Sequence, residues 1–169
     1  GVWIMVDIAG FDIRYTYVTD MTYLRQWMQS PGMLKWFPMT EEKEIEDALQ
    51  CWIGFCRWSC SVTATINHIP CAIGTLFLMP YKKVAHHCLF KLIVDPHWQK
   101  KGIGNAMIRN LKHLAKTYFH LEMISTEVFE GNPIISVLKK NGFEEIFRQD
   151  KYVKTPDGYK ARIFMETKL

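Results

Sequence analysis

Between Val94 and Ala106 the chain reads Val-Asp-Pro-His-Trp-Gln-Lys-Lys-Gly-Ile-Gly-Asn-Ala, an apolar strand that breaks into a Gln-x-x-Gly-x-Gly loop and then opens an amphipathic helix. Gly102 and Gly104 carry no Cβ, so the backbone of this turn can come close to whatever occupies it. The first N–H groups of a helix have no partner within it, and its dipole favours negative charge at that end. The junction therefore suits a pyrophosphate. A Gly-x-Gly before a helix also serves turn geometry alone, so the hexapeptide decides nothing without companions. Rival nucleotide motifs fit worse: there is no Gly-x-x-x-x-Gly-Lys-Ser/Thr, and Met107 and Arg109 follow where the third glycine of a dinucleotide fingerprint would stand.

Periodicity organises the rest of the chain. Phe11 to Val18 alternates like a strand, and Thr19-Asp20 then caps a helix carrying Leu24, Trp27 and Met28, which Ser30-Pro31-Gly32 ends. Thr40 to Trp58 reads as a second helix with Glu41, Glu42, Glu44, Glu46 and Asp47 in its first turns, where the dipole favours acids. Ser61 to Ile66 and Cys71 to Met79 form a hairpin around Asn67-His68-Ile69-Pro70, and Cys88 to Val94 is a nearly continuous apolar strand of the central kind. A helix from about Gly104 to Lys116 follows the loop, then a strand at Met123 to Phe129 and a helix at Ile134 to Lys140 closed by Asn141-Gly142. Two last strands, Glu145 to Lys154 and Tyr159 to Lys168, flank Pro156-Asp157-Gly158. The expected order is β-α-α-β-β-β-α-β-α-β-β in a single domain spanning 1–169, with no internal repeat or linker.

Composition narrows the functional classes. A net charge of +4 over 169 residues, with lysines spread through the middle third, fits a phosphate-rich small ligand better than a nucleic acid. The five cysteines are odd in number and form no Cys-x-x-Cys pair, so neither a disulfide framework nor a zinc ribbon is indicated. His86-His87-Cys88 lacks a second ligand cluster, and adjacent strand residues point to opposite faces, so no metal is expected. No run reaches transmembrane length and no signal-peptide pattern is visible. Gly1 in place of an initiator Met suggests a cloning scar or a trimmed start. A cytoplasmic protein with reduced thiols, a monomer or homodimer with no nucleic-acid or membrane partner, is the expectation.

Three separated features are similar to the GNAT superfamily of N-acetyltransferases, which move an acetyl group from acetyl-CoA to an amine. They are Leu92-Ile93-Val94-Asp95-Pro96 leading into Gln99 to Gly104, Glu127-Val128 with Asn132 five residues after Glu127, and Leu138-Lys139-Lys140-Asn141-Gly142-Phe143. Ile13-Arg14 with Thr19-Asp20, and Asp157-Gly158-Tyr159 with Met165, resemble the family's edges. The resemblance spans almost the whole chain in the right order. It implies a mixed α+β fold: a splayed mixed sheet of about seven strands with about four helices on its two faces.

The same resemblance implies a site. The backbone of Leu92, Ile93 and Val94 would pair with the pantetheine arm of acetyl-CoA like an added strand, and the Val94 amide would polarise the thioester carbonyl. The amides of Lys100, Lys101, Gly102, Ile103, Gly104 and Asn105 would hold the pyrophosphate, with Gln99 where the family has Arg or Gln. Glu127 resembles the base of ribosomal-protein N-terminal acetyltransferases, taking a proton from the attacking ammonium directly or through water. Asn132 bonds the pantetheine or orders a water, and before Pro133 it equally suits a helix N-cap.

One departure stands out. Many relatives place a tyrosine before the Gly-Phe pair to protonate the leaving thiolate, and here that position is Leu138 or Lys139. Tyr152, Tyr159 or water could supply the proton instead. The acceptor is a small-molecule amine or a peptide N-terminus. Trp27, Trp36, Phe37, Trp52, Phe55 and Trp58 sit beside acids on the first two helices, and such spacing of aromatics more often means core than ligand wall. The alternative to an enzyme is a module that binds CoA or acyl-CoA as a regulator without efficient turnover.

Overall fold

A computed structural model describes residues 3–169. Its regular elements are β1 (Phe11–Tyr15), α1 (Met21–Met28), α2 (Glu42–Ile53), β2 (Ser61–Ile66), β3 (Ile69–Phe77), β4 (His87–Val94), α3 (Ile103–Thr117), β5 (Met123–Phe129), α4 (Ile134–Lys140), β6 (Glu144–Thr155) and β7 (Gly158–Lys168). Their succession is the one the periodicity implies. All seven strands join one sheet in the order β1-β2-β3-β4-β5-β7-β6. Every neighbouring pair is antiparallel except β4 and β5. The sheet is mixed, and the fold is the expected α+β one.

Helices cover both faces. On one, Met107, Leu111 and Leu114 of α3 and Leu138 of α4 bury against Phe90, Ile124 and Met165. On the other, Leu24 and Met28 of α1 with Leu49 and Trp52 of α2 cover Ile73 and Ile93. These side chains follow a helical period within α1, α2 and α3 and a period of two within the strands, which is why the pattern was readable. α3 crosses β3 so closely that a Cβ on Gly74 would stand 2.9 Å from Leu111 Cδ1.

Four local expectations need correction. β1 stops at Tyr15, and Val18–Asp20 forms a 3-10 turn rather than more strand. Asp20 makes no side-chain cap on α1. Its buried carboxylate instead accepts from Arg14 at 2.8 and 3.0 Å, from the Tyr17 N–H at 2.9 Å and from Thr63 Oγ1 at 2.9 Å. Three donors outbid a helix terminus for one carboxylate. The second helix ends at Ile53, and Gly54–Trp58 tightens into a 3-10 turn closed by Ser59 at φ 54°. The hairpin turn is only Asn67-His68, at φ 50° and 69°, so β3 starts at Ile69 opposite Ile66. Two positive φ angles match the tight turns that suit strand twist.

Candidate active site

β4 and β5 pair only over His87↔Met123, Cys88↔Ile124 and Leu89↔Ser125. Beyond Leu89 they part, opening a cleft of about 420 Å³ lined by Leu92, Val94 and Gly104 on one side and Glu127, Phe129 and Asn132 on the other. The direction of the β4 backbone groups follows from its pairing with β3. Asp95 N–H donates to Cys71 O at 2.8 Å, which makes that pair hydrogen-bonded, and the register Ile93↔Ile73 makes the next such pair. Hydrogen-bonded and open pairs alternate in an antiparallel ladder. The N–H and C=O of Leu92 and Val94 therefore point into the cleft, a strand edge with no backbone partner among the described residues. Ile93 turns its backbone groups to β3, and its side chain is buried under α1 and α2.

The loop that follows is held from within. Asp95 Oδ1 accepts from the His97 N–H at 2.9 Å, and Trp98 N–H returns to Asp95 O at 2.8 Å. Lys100 and Gly102 adopt φ 61° and 85°, left-handed conformations that turn the chain into α3. The first α3 bond is Ala106 N–H to Gly102 O, so the amides of Ile103, Gly104 and Asn105 find no backbone acceptor among the described residues. A Cβ on Gly104 would meet only Ile134 Cδ1 at 3.7 Å and Val94 Cγ2 at 4.0 Å, so Gly104 keeps the cleft floor low. Lys100, Gly102 and Asn105 line the cleft. Lys101 is exposed beside it, and the Ile103 side chain belongs to the core, leaving its amide as its contribution to this surface. Gln99 Nε2 donates to Val94 O at 3.3 Å and approaches Met33 Sδ at 3.5 Å, tying the loop to the strand end.

Opposite, Glu127 projects from β5 on the face away from buried Ile124 and Val128. Its Oε1 accepts from Arg162 Nη1 of β7 at 2.7 Å. Asn132 Oδ1 accepts from the N–H of Ile134, the first residue of α4, at 3.0 Å, which leaves its amide NH₂ free of protein partners among the described residues. Leu138 is fully buried and lines the same cleft, whereas Lys139 faces solvent. Of the two tyrosines on the last strands, Tyr152 reaches the cleft and Tyr159 does not. Tyr152 does so through a bulge: between Gln149↔Arg162 and Val153↔Lys160, β6 advances four residues while β7 advances two, with Lys151 at φ 54°.

The early acidic residues play other parts. Glu46 pairs with Arg25 at 2.7 Å. Glu44 is held below the usual carboxylate range by the N–H groups of Glu41 and Thr40 and the Thr40 hydroxyl. None of the acids of α2 lines the cleft. Of the aromatic residues, Trp36, Phe37 and Trp52 line it, Trp27 is core, and Trp58 is 56% exposed. Lys91, Phe129 and Arg162 escaped the sequence reading. A single lysine in the apolar run of β4 was the available signal for the first.

The sequence profile of the acetyltransferase (GNAT) domain matches residues 51–145. An L-amino acid N-acetyltransferase from Escherichia coli strain K12 is 33% identical over 61 residues, a match that covers 36% of this chain and 38% of that relative. Among solved structures, a proposed phosphinothricin N-acetyltransferase superposes with TM-score 0.83 at 15% identity, covering 94% of this chain and 98% of its own. A proposed acetyltransferase from Salmonella typhimurium, solved with its cofactor acetyl-CoA, superposes with TM-score 0.75 at 14% identity over 95% of this chain and 94% of its own. With its free strand edge beside a glycine-rich helix start, and with that profile over more than half its length, this chain belongs to the GNAT family of N-acetyltransferases.

Proposed function

We propose that residues 1–169 form one acetyltransferase domain that moves an acetyl group from acetyl-CoA to the primary amine of a small molecule or peptide N-terminus by direct attack. The observation that carries this reading is the continuity between the edge of Leu92 and Val94 and the amides at the start of α3, neither of which has a backbone partner among the described residues. An extended amide-bearing arm fits the first, and a pyrophosphate fits the second. Gln99, Lys100, Lys101, Gly102, Ile103, Gly104 and Asn105 hold the phosphates, mostly through backbone. Leu92 and Val94 pair with the pantetheine, Ile93 anchors that edge to β3, and Asn132 offers its free NH₂.

Acetyl-CoA bound there supplies a thioester carbonyl and a thiol leaving group. The Val94 N–H donates toward the carbonyl oxygen as charge develops on it; loss of such a donor costs about 2.7–4 kcal/mol in comparable sites. Glu127 takes the proton of the acceptor ammonium, since only the neutral amine is nucleophilic. A thiol with pKa near 8.5 can leave as thiolate, so a protein acid at Leu138 is dispensable.

The buried Leu138 in place of a hydroxyl favours one alternative, a CoA-binding regulator without efficient turnover. Thiol release from acetyl-CoA across a panel of amines, with wild type and Glu127→Gln, tests the two. Amine-dependent release that falls in Glu127→Gln supports the enzyme; tight CoA binding with no acetylated amine and no effect of Glu127→Gln supports the regulator.

A further inference from the structure

The acceptor end of the cleft carries unmatched positive charge. Lys91 lies on the same face of β4 as Ile93 and rests with Nζ 4.9 Å from the Phe77 ring centre and 6.0 Å from that of Trp52. It forms no ion pair among the described residues. Carrying the register Leu89↔Ser125 onward sets Lys91 level with Glu127 across the gap. Glu127 is already matched by Arg162, and among the described residues it is the one carboxylate lining the cleft. Lys160 and Lys35 stack on Trp36, which lines the cleft, at 4.8 and 4.9 Å, and neither forms an ion pair among the described residues. The wall between is apolar: Met33, Trp36, Phe37 and Met39.

We propose that the acceptor is a free α-amino acid with an apolar or aromatic side chain, its carboxylate held by Lys91 and its amine directed to Glu127. This rests on the acetyltransferase reading above. An α-amino acid carries an ammonium and a carboxylate on one carbon, and the cleft offers an anion and a cation facing each other across one gap. The Lys91 ammonium lies over the Phe77 and Trp52 rings, which hold it without neutralising it. A peptide N-terminus has an amide in place of that carboxylate and leaves the lysine unpaired, a penalty that discriminates strongly in sites built for a polar partner. Polyamines and aminoglycosides bring no carboxylate and leave Lys91 facing a further cation. The side chain of the acceptor fills the apolar wall.

The test is thiol release from acetyl-CoA with phenylalanine, methionine and leucine, each beside its amide and its decarboxylated amine, and with spermidine. The free acids are expected to exceed their amides in kcat/KM by about tenfold or more, the scale of one charge-assisted hydrogen bond. Lys91→Met should bring the acid-to-amide ratio close to one, and Lys91→Glu should invert it. Amides or spermidine used as well as the acids by the wild type, or a ratio unmoved in both variants, overturns the acceptor assignment and leaves the transferase standing. No thiol release with any amine overturns both.

Discussion

Arg162 Nη1 on β7 donates to Glu127 Oε1 on β5 at 2.7 Å, although the residue directly opposite Glu127 in the ladder is Phe164. The guanidinium reaches diagonally, stacks over the Tyr152 ring at 4.4 Å and donates its second Nη to Gln149 Oε1 at 2.8 Å, while its Nε is buried without a partner among the described residues. So placed, it keeps the carboxylate oriented with one oxygen engaged. The other oxygen, Oε2, makes no hydrogen bond to the described residues and is the one available to a substrate ammonium.

If Glu127 is the base, Glu127→Gln keeps the side chain's shape but cannot take a proton. We expect kcat to fall by about 10²- to 10⁴-fold, the usual share of a general base, with acetyl-CoA affinity little changed. Steady-state kinetics beside calorimetric titration of CoA separate the two; an unchanged kcat removes Glu127 from the chemistry.

At Gly104 a Cβ would make only ordinary contacts, with Ile134 Cδ1 at 3.7 Å and Val94 Cγ2 at 4.0 Å. Gly104→Glu should therefore fold normally while putting a carboxylate among the amides that start α3, where it competes with a phosphate. A loss of CoA affinity of tenfold or more, worth about 1.4 kcal/mol, is expected by titration, with an unchanged thermal midpoint. Retained affinity would move the phosphates elsewhere.

Asp20 carries the pH dependence of stability. Burial pushes its carboxyl up, but hydrogen bonds from Arg14, the Tyr17 N–H and Thr63, with the Arg14 charge, win and hold it below the usual carboxylate range. A depressed folded-state value means that the stabilisation is complete above the unfolded value, about 3.9, and is lost as pH falls through the folded one. Asp20→Asn should cost about 1–3 kcal/mol at pH 7, the scale of a disrupted buried network, and less on acidification. Denaturant midpoints of both proteins from pH 7 to pH 3 should converge; parallel curves would show that Asp20 does not set the acid limb.

The thiols divide by burial. Cys60, Cys71 and Cys88 are pushed up to about 12 by desolvation, Cys56 is raised by burial to a lesser degree, and Cys51 is exposed. Thiolate is the reactive form. A thiol reagent at pH 8 should label Cys51 first and Cys56 more slowly, with Cys60, Cys71 and Cys88 modified only on unfolding; early labelling of Cys88 would contradict its place under α3.

Local pattern was enough for the order of elements. α3 has apolar residues at helical spacing behind two glycines, and β4 is an apolar run between turns, so neighbours along the chain dictate both. Ends were less legible. Asp20 looked like a cap because a cap is its best local use, and only the fold brings Arg14 and Thr63 to it.

The Gln99–Gly104 loop and the strand before it could be read as a phosphate and pantetheine site from the sequence, because backbone amides do that work and backbone conformation is largely a local property. Which amides face the cleft was not readable, since it depends on the pairing of β4 with β3. Nor was the company of Glu127: Arg162 lies 35 residues away, and Lys91 comes level with it only through the parallel register of β4 and β5. The acids of α2 do not reach the cleft, since Arg25, Thr40 and the helix start occupy Glu46 and Glu44, and its charge comes from Lys91, Lys100 and Glu127. Charge patterning along a chain counts residues, whereas a binding site is set by the charges that remain unpaired after folding, and pairing is a tertiary matter.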